Sequence, residues 1–196
     1  MGWDLRSGLR AATGRFLVVI DGDGQVPVQY ALSAYRQLKT TGAPIVKGRR
    51  YLREDGSVRS VLSLGFNGLF WLFFQTRGLW DVNGRPKGMT REAWRQLDLR
   101  TDDWFTDAEI LLKARRLALE VREFPVRFLE HPGQSSVGPA TVWEFLRNMA
   151  LARLGQHPAL RPRAPQQAPA PADEFEVGAE AEEEAAPLVL AGRDRR

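Results

Sequence analysis

The segment Phe16-Leu17-Val18-Val19-Ile20-Asp21-Gly22-Asp23-Gly24-Gln25 decides the fold, because a short apolar run ends in two carboxylates spaced one residue apart. Such a run predicts a strand buried in a parallel sheet, and ligands of open α/β sheets bind at the carboxyl edge of the strands. Two acidic groups there favour a hard cation, Mg²⁺ or Mn²⁺, which keeps open positions for the phosphates of a nucleotide diphosphate. The alternative is a plain Asp-Gly turn that follows the strand.

The composition predicts one folded body and a tail. A chain of 196 residues with 43% hydrophobic content can bury one core, which we assign to residues 1–154. Residues 155–196 are Pro/Ala-rich and then acidic, which predicts a disordered tail. The absence of cysteine excludes disulfides, thiolate zinc sites and cysteine nucleophiles, and it fits a reducing, cytoplasmic compartment.

The net charge of +4 hides an asymmetry between body and tail. The tail carries five basic and eight acidic residues, so the body has 23 basic and 16 acidic groups and a net charge of +7. A basic body suits a phosphate-rich ligand or an anionic membrane surface. We expect no nucleic-acid partner, because no recognised nucleic-acid-binding motif accompanies this charge.

The order of the predicted elements indicates an α/β fold. A helix at 3–12, the strand at 16–20, a helix at 28–39 and a strand at 45–48 form a strand, helix, strand unit, which predicts parallel strands with a right-handed crossover. Pro125 favours an edge position for a strand at 121–128. The remaining pattern predicts helices at 58–76, 90–97, 106–117 and 141–154, and an irregular polar loop at 81–88. Lys87 in this loop could contact phosphate or an acceptor, although an isolated loop lysine is more often exposed to solvent.

The most apolar stretch lies in the helix at 58–76 and has two interpretations. Its run Leu69-Phe70-Trp71-Leu72-Phe73-Phe74 is too short for a membrane span of about 20 apolar residues. The aromatic rings could lie at a membrane surface, flanked by Arg59 and Arg77. A helix buried in the core explains the run equally well.

Two acidic residues near the start of the helix at 106–117 could have either a functional or a structural role. Thr106 and Glu109 have the spacing of a capping box, and Asp107 in the first turn favours the helix dipole. We therefore rank Asp107 ahead of Glu109 as the functional group.

The ordered motifs together resemble the family 2 glycosyltransferases of GT-A type, in particular the polyprenyl-phosphate, dolichol-phosphate mannosyltransferase-like branch. The resemblance covers roughly residues 2–150 and implies a partial GT-A fold, a Rossmann-like and mostly parallel sheet flanked by helices. The matching segments are Gly8–Gly14, Asp21-Gly22-Asp23-Gly24-Gln25, Lys47-Gly48-Arg49-Arg50, Arg59 with Ser63, Asp81–Lys87, Asp107-Ala108-Glu109 and Gly133-Gln134-Ser135-Ser136.

The resemblance implies how the donor binds. Asp21 and Asp23 would be the Asp-x-Asp pair that holds Mg²⁺ or Mn²⁺ and the diphosphate of a nucleotide-sugar, with Gln25 beside them. The chemistry agrees, since a divalent ion neutralises the charge that develops on a diphosphate leaving group.

The resemblance also implies a polyprenyl-phosphate or related lipid acceptor, at the inner face of a membrane, and anomeric inversion. Arg50, Arg59 and Ser63 match positions that gather the acceptor phosphate, and Arg59 and Ser63 are four apart on one helix face. Guanidinium groups suit phosphate oxygens, although a solvated basic face would look the same. Asp107 or Glu109 would orient the acceptor, or would deprotonate it if the acceptor were a hydroxyl group.

The first strands of the family have no counterpart in the twenty residues before Asp21. Those strands build the nucleobase pocket. We expect either a protein that begins upstream, a partner chain that completes the sheet, or a catalytically inactive remnant that binds anionic surfaces.

Overall fold

The structure is a computed structural model that describes residues 2–53, 57–74, 79, 81–129, 138–161 and 190–191, with the backbone alone at 52–53, 57–64, 139–140 and 190–191. Its helices and strands largely follow the predicted order. They are α1 (Gly2–Ala11), β1 (Phe16–Asp21), α2 (Gln29–Thr41), β2 (Ile45–Arg53), α3 (Ser57–Phe74), β3 (Lys87–Thr90), α4 (Arg91–Leu97), α5 (Thr106–Arg116), β4 (Val121–Phe128), α6 (Pro139–Arg153) and β5 (Leu190–Ala191).

The described strands form one mixed sheet with the order β4-β2-β3-β1-β5. Strand β3 is antiparallel to both of its neighbours, while β2 pairs with β4 and β1 pairs with β5 in parallel. All strands except β3 therefore run in one direction, and the mostly parallel sheet is confirmed. Strands β1 and β2 run parallel as predicted, and β3 lies between them.

The predicted loop at 81–88 overlaps strand β3, and the predicted helix at 90–97 includes its last residue. The strand has only four residues, Lys87-Gly88-Met89-Thr90, and lacks an apolar run. Its sequence fits its place all the same. Met89 is fully buried, and a side chain at Gly88 would lie 3.0 Å from both Leu38 and Val46, so the α2 face packs directly on this backbone. Tertiary packing here outweighs the weak strand propensity of the segment.

Helix ends and the sheet edge follow sequence signals. Gly42 adopts the left-handed conformation (φ 68°) that ends α2, and its N–H donates to the carbonyl oxygen of Leu38. Strand β4, which contains Pro125, lies at one edge of the described sheet, as predicted. Helix α5 is buried between two apolar clusters, one built on Leu5, Leu9 and Ile110 and the other on Phe105.

The aromatic helix α3 has a buried face, as one prediction requires, and an exposed face. Phe70 is buried in the core, and Phe66 packs edge-on against Phe145 of α6 at 4.3 Å between ring centroids. Trp71 and Leu72 on another face are exposed. Within the described residues, no helix is both long and apolar enough to cross a membrane.

The folded part continues to Arg161, so the predicted boundary at residue 155 lies too early. His157 stacks on Phe105 with 4.5 Å between ring centroids, and Leu160 is buried in the same cluster. This hydrophobic anchor was hidden in a Pro/Ala-rich sequence. Of the residues that follow, the structure describes only the two-residue strand β5.

Candidate active site

The acidic pair lies at the carboxyl end of β1, as predicted. Asp21 ends the strand with its side chain 40% exposed, and its Oδ1 accepts a hydrogen bond from Arg85 Nε at 3.1 Å. Asp23 is exposed, and its Oδ1 accepts from the backbone N–H of Gln25 at 3.0 Å. The segment is thus an Asp-Gly turn in geometry, and the turn presents both carboxylates to solvent.

Gln25 fixes this turn to the end of strand β4. Its carbonyl oxygen accepts from the N–H of Leu129 at 2.8 Å, and its side-chain Nε2 donates to the carbonyl oxygen of Leu129 at 3.4 Å. Gln25 therefore acts here through the backbone of a neighbouring segment. Its predicted contact with the donor remains a prediction.

Asp107 lies beneath the acidic turn, in the first turn of α5. Its Oδ1 accepts from Arg85 Nη1 and from Lys87 Nζ, both at 2.7 Å, and all three side chains are buried. Arg85 therefore joins exposed Asp21 to buried Asp107. The interpretation of Lys87 as a solvent-exposed loop lysine is wrong, because the first residue of β3 points into this cluster.

The cluster shifts the pKa of each member. Burial would raise the pKa of Asp107, but Arg85 and Lys87 outweigh burial and lower it to about 2. Burial lowers the pKa of Lys87 to about 7, with Asp107 opposing this effect and Arg85 and Lys47 adding to it. Burial would lower the pKa of Arg85, but Asp107 and Asp21 raise it overall. Asp107 is consequently an anion at any physiological pH.

A second ion pair stands beside the cluster. Asp81 binds Arg50 through both carboxylate oxygens, with Nε at 2.7 Å and Nη2 at 2.6 Å, and also accepts from the backbone N–H of Arg50. Burial would raise the pKa of Asp81, but Arg50 and Lys47 lower it to about 2. Lys47 is itself buried, pairs with Glu123 at 2.6 Å and donates to the carbonyl oxygen of Asp81.

Two glycines allow the segment before β3 to lie directly on β2. A side chain at Gly48 would collide with the carbonyl oxygen of Arg85, and one at Gly84 would collide with the carbonyl oxygen of Gly48. The N–H of Gly48 also donates to the carbonyl oxygen of Pro86 at 2.8 Å. This close approach fixes the backbone that carries Arg85 and Lys87.

Glu109 belongs to a different cluster. Its carboxylate accepts from the N–H groups of Arg100 and Thr101, from the Thr101 hydroxyl at 2.6 Å and from Lys113 Nζ at 2.6 Å. The predicted capping box with Thr106 is wrong. Thr106 is the first helical residue rather than the cap, and its hydroxyl donates to backbone carbonyl oxygens instead.

The acidic turn fits a hard cation that completes its coordination with ligand phosphates. Each carboxylate uses Oδ1 in an internal hydrogen bond, and both side chains reach solvent. In the described part of the chain, no three His, Asp or Glu side chains converge on a metal position. Two carboxylates with phosphate and water ligands are a common arrangement for Mg²⁺, so Asp21 and Asp23 would hold the ion.

The other predicted site residues are only partly placed. Arg50 lies at the cluster, with its guanidinium held by Asp81 and stacked 5.0 Å from the Phe128 ring centroid. Arg59 and Ser63 lie on the α3 backbone, and their side chains are outside the described residues, as is the whole segment Gly133–Ser136. Sequence reasoning missed Arg85 as a site residue; the available signal was the density of charge and glycine in residues 81–88.

Known proteins resemble this chain in sequence. Glycosyltransferase AglD of Haloferax volcanii is 30% identical over 131 residues, which are 64% of this chain and 21% of AglD. A dolichyl-phosphate β-glucosyltransferase of Drosophila melanogaster is 30% identical over 155 residues, which are 72% of this chain and 47% of that enzyme. The chain thus spans half or less of the length of these relatives. No protein-family model matches the sequence.

A solved structure shares the fold. Glucosyl-3-phosphoglycerate synthase of Mycobacterium tuberculosis, in complex with Mn²⁺, UDP-glucose and glycerol 3-phosphate, superposes with a TM-score of 0.53 at 18% identity. The match covers 77% of this chain and 53% of the synthase chain. The sequence relatives and the shared fold confirm the resemblance of this chain to the family 2 glycosyltransferases of GT-A type.

Proposed function

We propose that this chain carries the metal and acceptor half of a glycosyltransferase that moves a sugar from a nucleotide-sugar to a polyprenyl phosphate or related lipid phosphate at a membrane surface. One observation carries the proposal: an exposed acidic pair at a strand end is joined by Arg85 to a buried cationic cluster around Asp107. Sequence relatives that include a dolichyl-phosphate glucosyltransferase support the acceptor class.

Asp21 and Asp23 would hold Mg²⁺ or Mn²⁺ against the donor diphosphate. When bound, the ion supplies Lewis-acid stabilisation of the leaving group. The contribution of the chain is to present two carboxylate side chains on a turn that Gln25 anchors to the end of β4. The fold relative was solved with Mn²⁺ and UDP-glucose, which supports this assignment and makes UDP-glucose the first donor to test.

The state of Asp107 favours a phosphate acceptor. A general base works best with a pKa near the working pH, whereas Arg85 and Lys87 lower the pKa of Asp107 to about 2. Such a carboxylate is a poor base, and it positions the two cations that bind it. An acceptor phosphate is already ionised, so it needs cations and orientation rather than deprotonation. The alternative, a hydroxyl acceptor with Asp107 or Glu109 as base, gains no support from these contacts.

We assign the exposed apolar side chains of α3 and α6 to the membrane contact. Helix α6 exposes Trp143, at 71%, and Val142, while α3 exposes Leu72, at 63%, and Trp71. The two helices pack together through Phe66 and Phe145. Exposed tryptophans beside aliphatic side chains suit the headgroup boundary, and the basic body adds attraction to anionic lipids. We place this contact at the inner, cytoplasmic face of the membrane.

A transfer assay tests the proposed function. The purified chain is mixed with vesicles that contain anionic lipid and polyprenyl phosphate, with Mn²⁺ and radiolabelled UDP-glucose, followed by a panel of other sugar nucleotides. We expect label in the lipid phase, dependent on the metal and lost in Asp23→Ala. In Asp107→Asn, transfer should fall but persist, since a phosphate acceptor requires no base.

The same assay separates the competing functions. Complete loss of transfer in a folded Asp107→Asn protein would indicate a hydroxyl acceptor and a general base. Vesicle binding without any metal-dependent binding of a sugar nucleotide would identify the inactive remnant and overturn the proposal.

A further inference from the structure

One guanidinium serves two carboxylates that differ sharply in environment. Arg85 Nε donates to Asp21, which reaches solvent, and Arg85 Nη1 donates to Asp107, which is buried. Arg85 itself is 2% exposed. Arg85 therefore connects the proposed metal ligands to the buried interior of the site.

The backbone holds Arg85 in this position. The close approach of Gly48 and Gly84 and the hydrogen bond from Gly48 to Pro86 pack the segment against β2. The side chain is fixed at its far end by Asp107, which Lys87 also binds. Asp107 therefore holds Arg85 beside Asp21.

The cluster contains two basic and two acidic side chains, in which Arg85 and Lys87 pair with Asp21 and Asp107. A divalent cation at Asp21 must therefore compete with a buried positive charge that lies 3.1 Å from one of its ligand oxygens.

We propose that Arg85 is the internal counter-cation of Asp21 and that it couples the divalent-metal site to Asp107. This inference rests on the proposed function, in which Asp21 is a metal ligand. When a metal ion binds Asp21, the interaction between Asp21 and Arg85 becomes weaker, and the guanidinium group then interacts mainly with Asp107. Conversely, if Asp107 loses its charge, Arg85 interacts more strongly with Asp21. Metal binding then becomes weaker, because coupling between two sites is reciprocal.

A merely structural Arg85 makes a different prediction. If Arg85 only orients Asp21, its removal loosens the site and weakens metal binding. If Arg85 competes with the metal, its removal strengthens metal binding as long as the protein folds. The sign of the change in Mn²⁺ affinity therefore distinguishes the two roles.

The test measures Mn²⁺ dissociation constants by electron paramagnetic resonance of free Mn²⁺ on the full 196-residue chain. Arg85→Gln should bind Mn²⁺ about tenfold more tightly than the wild-type chain, and Arg85→Lys, which keeps the charge, should stay within about threefold of it. Arg122→Gln is the matched control, since it removes a surface arginine paired with Glu120, and it should change nothing measurable.

Asp107→Asn provides the second arm. In the wild-type background it should weaken Mn²⁺ binding by about threefold or more, and in the Arg85→Gln background this effect should disappear. If Arg85→Gln does not fold, Arg85→Met, which removes the charge and keeps the apolar part of the side chain, replaces it in both arms.

The outcomes separate the two proposals. Mn²⁺ binding that Asp21→Asn abolishes but that Arg85→Gln leaves equal or weaker would overturn the role of Arg85 alone. An equal effect of Asp107→Asn in both backgrounds would do the same. Absence of any Mn²⁺ binding that depends on Asp21 would contradict the proposed function and the inference with it.

Discussion

Asp107 and Glu109 lie two residues apart on helix α5 and are both buried, yet their surroundings differ in kind. Glu109 is enclosed by backbone N–H groups, a threonine hydroxyl and Lys113, and these partners fix the loop before the helix. Asp107 is bound by two cations, one of which continues to the exposed end of β1.

The difference shows how to separate a structural acid from a candidate functional one. Burial is the same for both residues, so burial alone carries no information about function. The two residues differ in their partners. The partners of Glu109 belong to the neighbouring loop and helix, whereas Arg85, which binds Asp107, also binds solvent-facing Asp21. A set of partners that reaches a strand end in an α/β sheet indicates a ligand site.

The largest expected effect is the loss of stability when the side chain of Glu109 is removed. Glu109→Ala leaves the N–H groups of Arg100 and Thr101 and the Lys113 ammonium without their acceptor, and should lower the free energy of unfolding by about 3–5 kcal/mol. Urea unfolding monitored by tryptophan fluorescence measures this loss. Glu120→Ala, at an exposed ion pair, is the control and should cost less than about 0.5 kcal/mol. A loss of similar size in both variants would remove the structural role of Glu109.

Asp107→Asn should lower the free energy of unfolding less than Glu109→Ala does, and it should lower the transfer activity more. The isosteric amide still accepts hydrogen bonds, but Arg85 and Lys87 lose their buried counter-charge, so we expect a loss of about 2 kcal/mol. Transfer to the lipid acceptor should fall at least tenfold relative to folded protein, as judged by initial rates at saturating donor. Unchanged rates would show that Asp107, like Glu109, is purely structural.

The pH dependence of stability should report the same cluster. The pKa values of Asp81 and Asp107 are lowered to about 2 from an ordinary value of 3.8. The unfolded chain therefore binds more protons between these values, and the free energy of unfolding falls as the pH falls from about 4 to about 2. Each carboxyl should contribute on the order of 2 kcal/mol.

Urea unfolding at a series of acidic pH values checks this expectation. Asp81→Asn should remove about half of the acid-dependent change, because it deletes one of the two shifted carboxyls. An unaltered pH profile in this variant would show that the Asp81 and Arg50 pair does not hold in solution.

The smallest expected effect concerns the exposed apolar side chains of α3 and α6. Trp143→Ser should weaken binding to vesicles with anionic lipid by about threefold, since one interfacial tryptophan is lost. Trp3→Ser is the matched control, because Trp3 is equally exposed at 64% but lies on α1. Vesicle sedimentation measures both, and equal loss in the two variants would remove the membrane assignment from these side chains.

Much of the fold could be predicted from local signals. The apolar run of β1, Gly42 at the end of α2 and Pro125 in an edge strand each have a local physical cause, so the sequence revealed them. Strand β3 has none, because its four residues are held by packing against α2 and by pairing with two distant strands. The anchor at His157 and Leu160 was hidden for the same reason.

The residues of the site likewise include some that could be predicted from the sequence and some that could not. Asp21 and Asp23 could be predicted because their spacing after a strand is visible in the sequence. Arg85, Lys87 and Lys47 could not be placed, because the carboxylates that pair with them lie 20 to 76 positions away and buried charge is unexpected in a Gly/Pro-rich loop. The low pKa of Asp107 depends on Arg85 and Lys87 and was equally out of reach.

Calorimetric titration of the chain with UDP-glucose, with and without Mn²⁺, tests the central claim that the acidic turn after β1 holds a cation against a diphosphate. The account predicts heat of binding only with Mn²⁺ present, unchanged in Glu120→Ala and lost in both Asp21→Asn and Asp23→Ala. Binding of the same strength in these two variants, or no heat from any sugar nucleotide with folded wild-type chain, would contradict it.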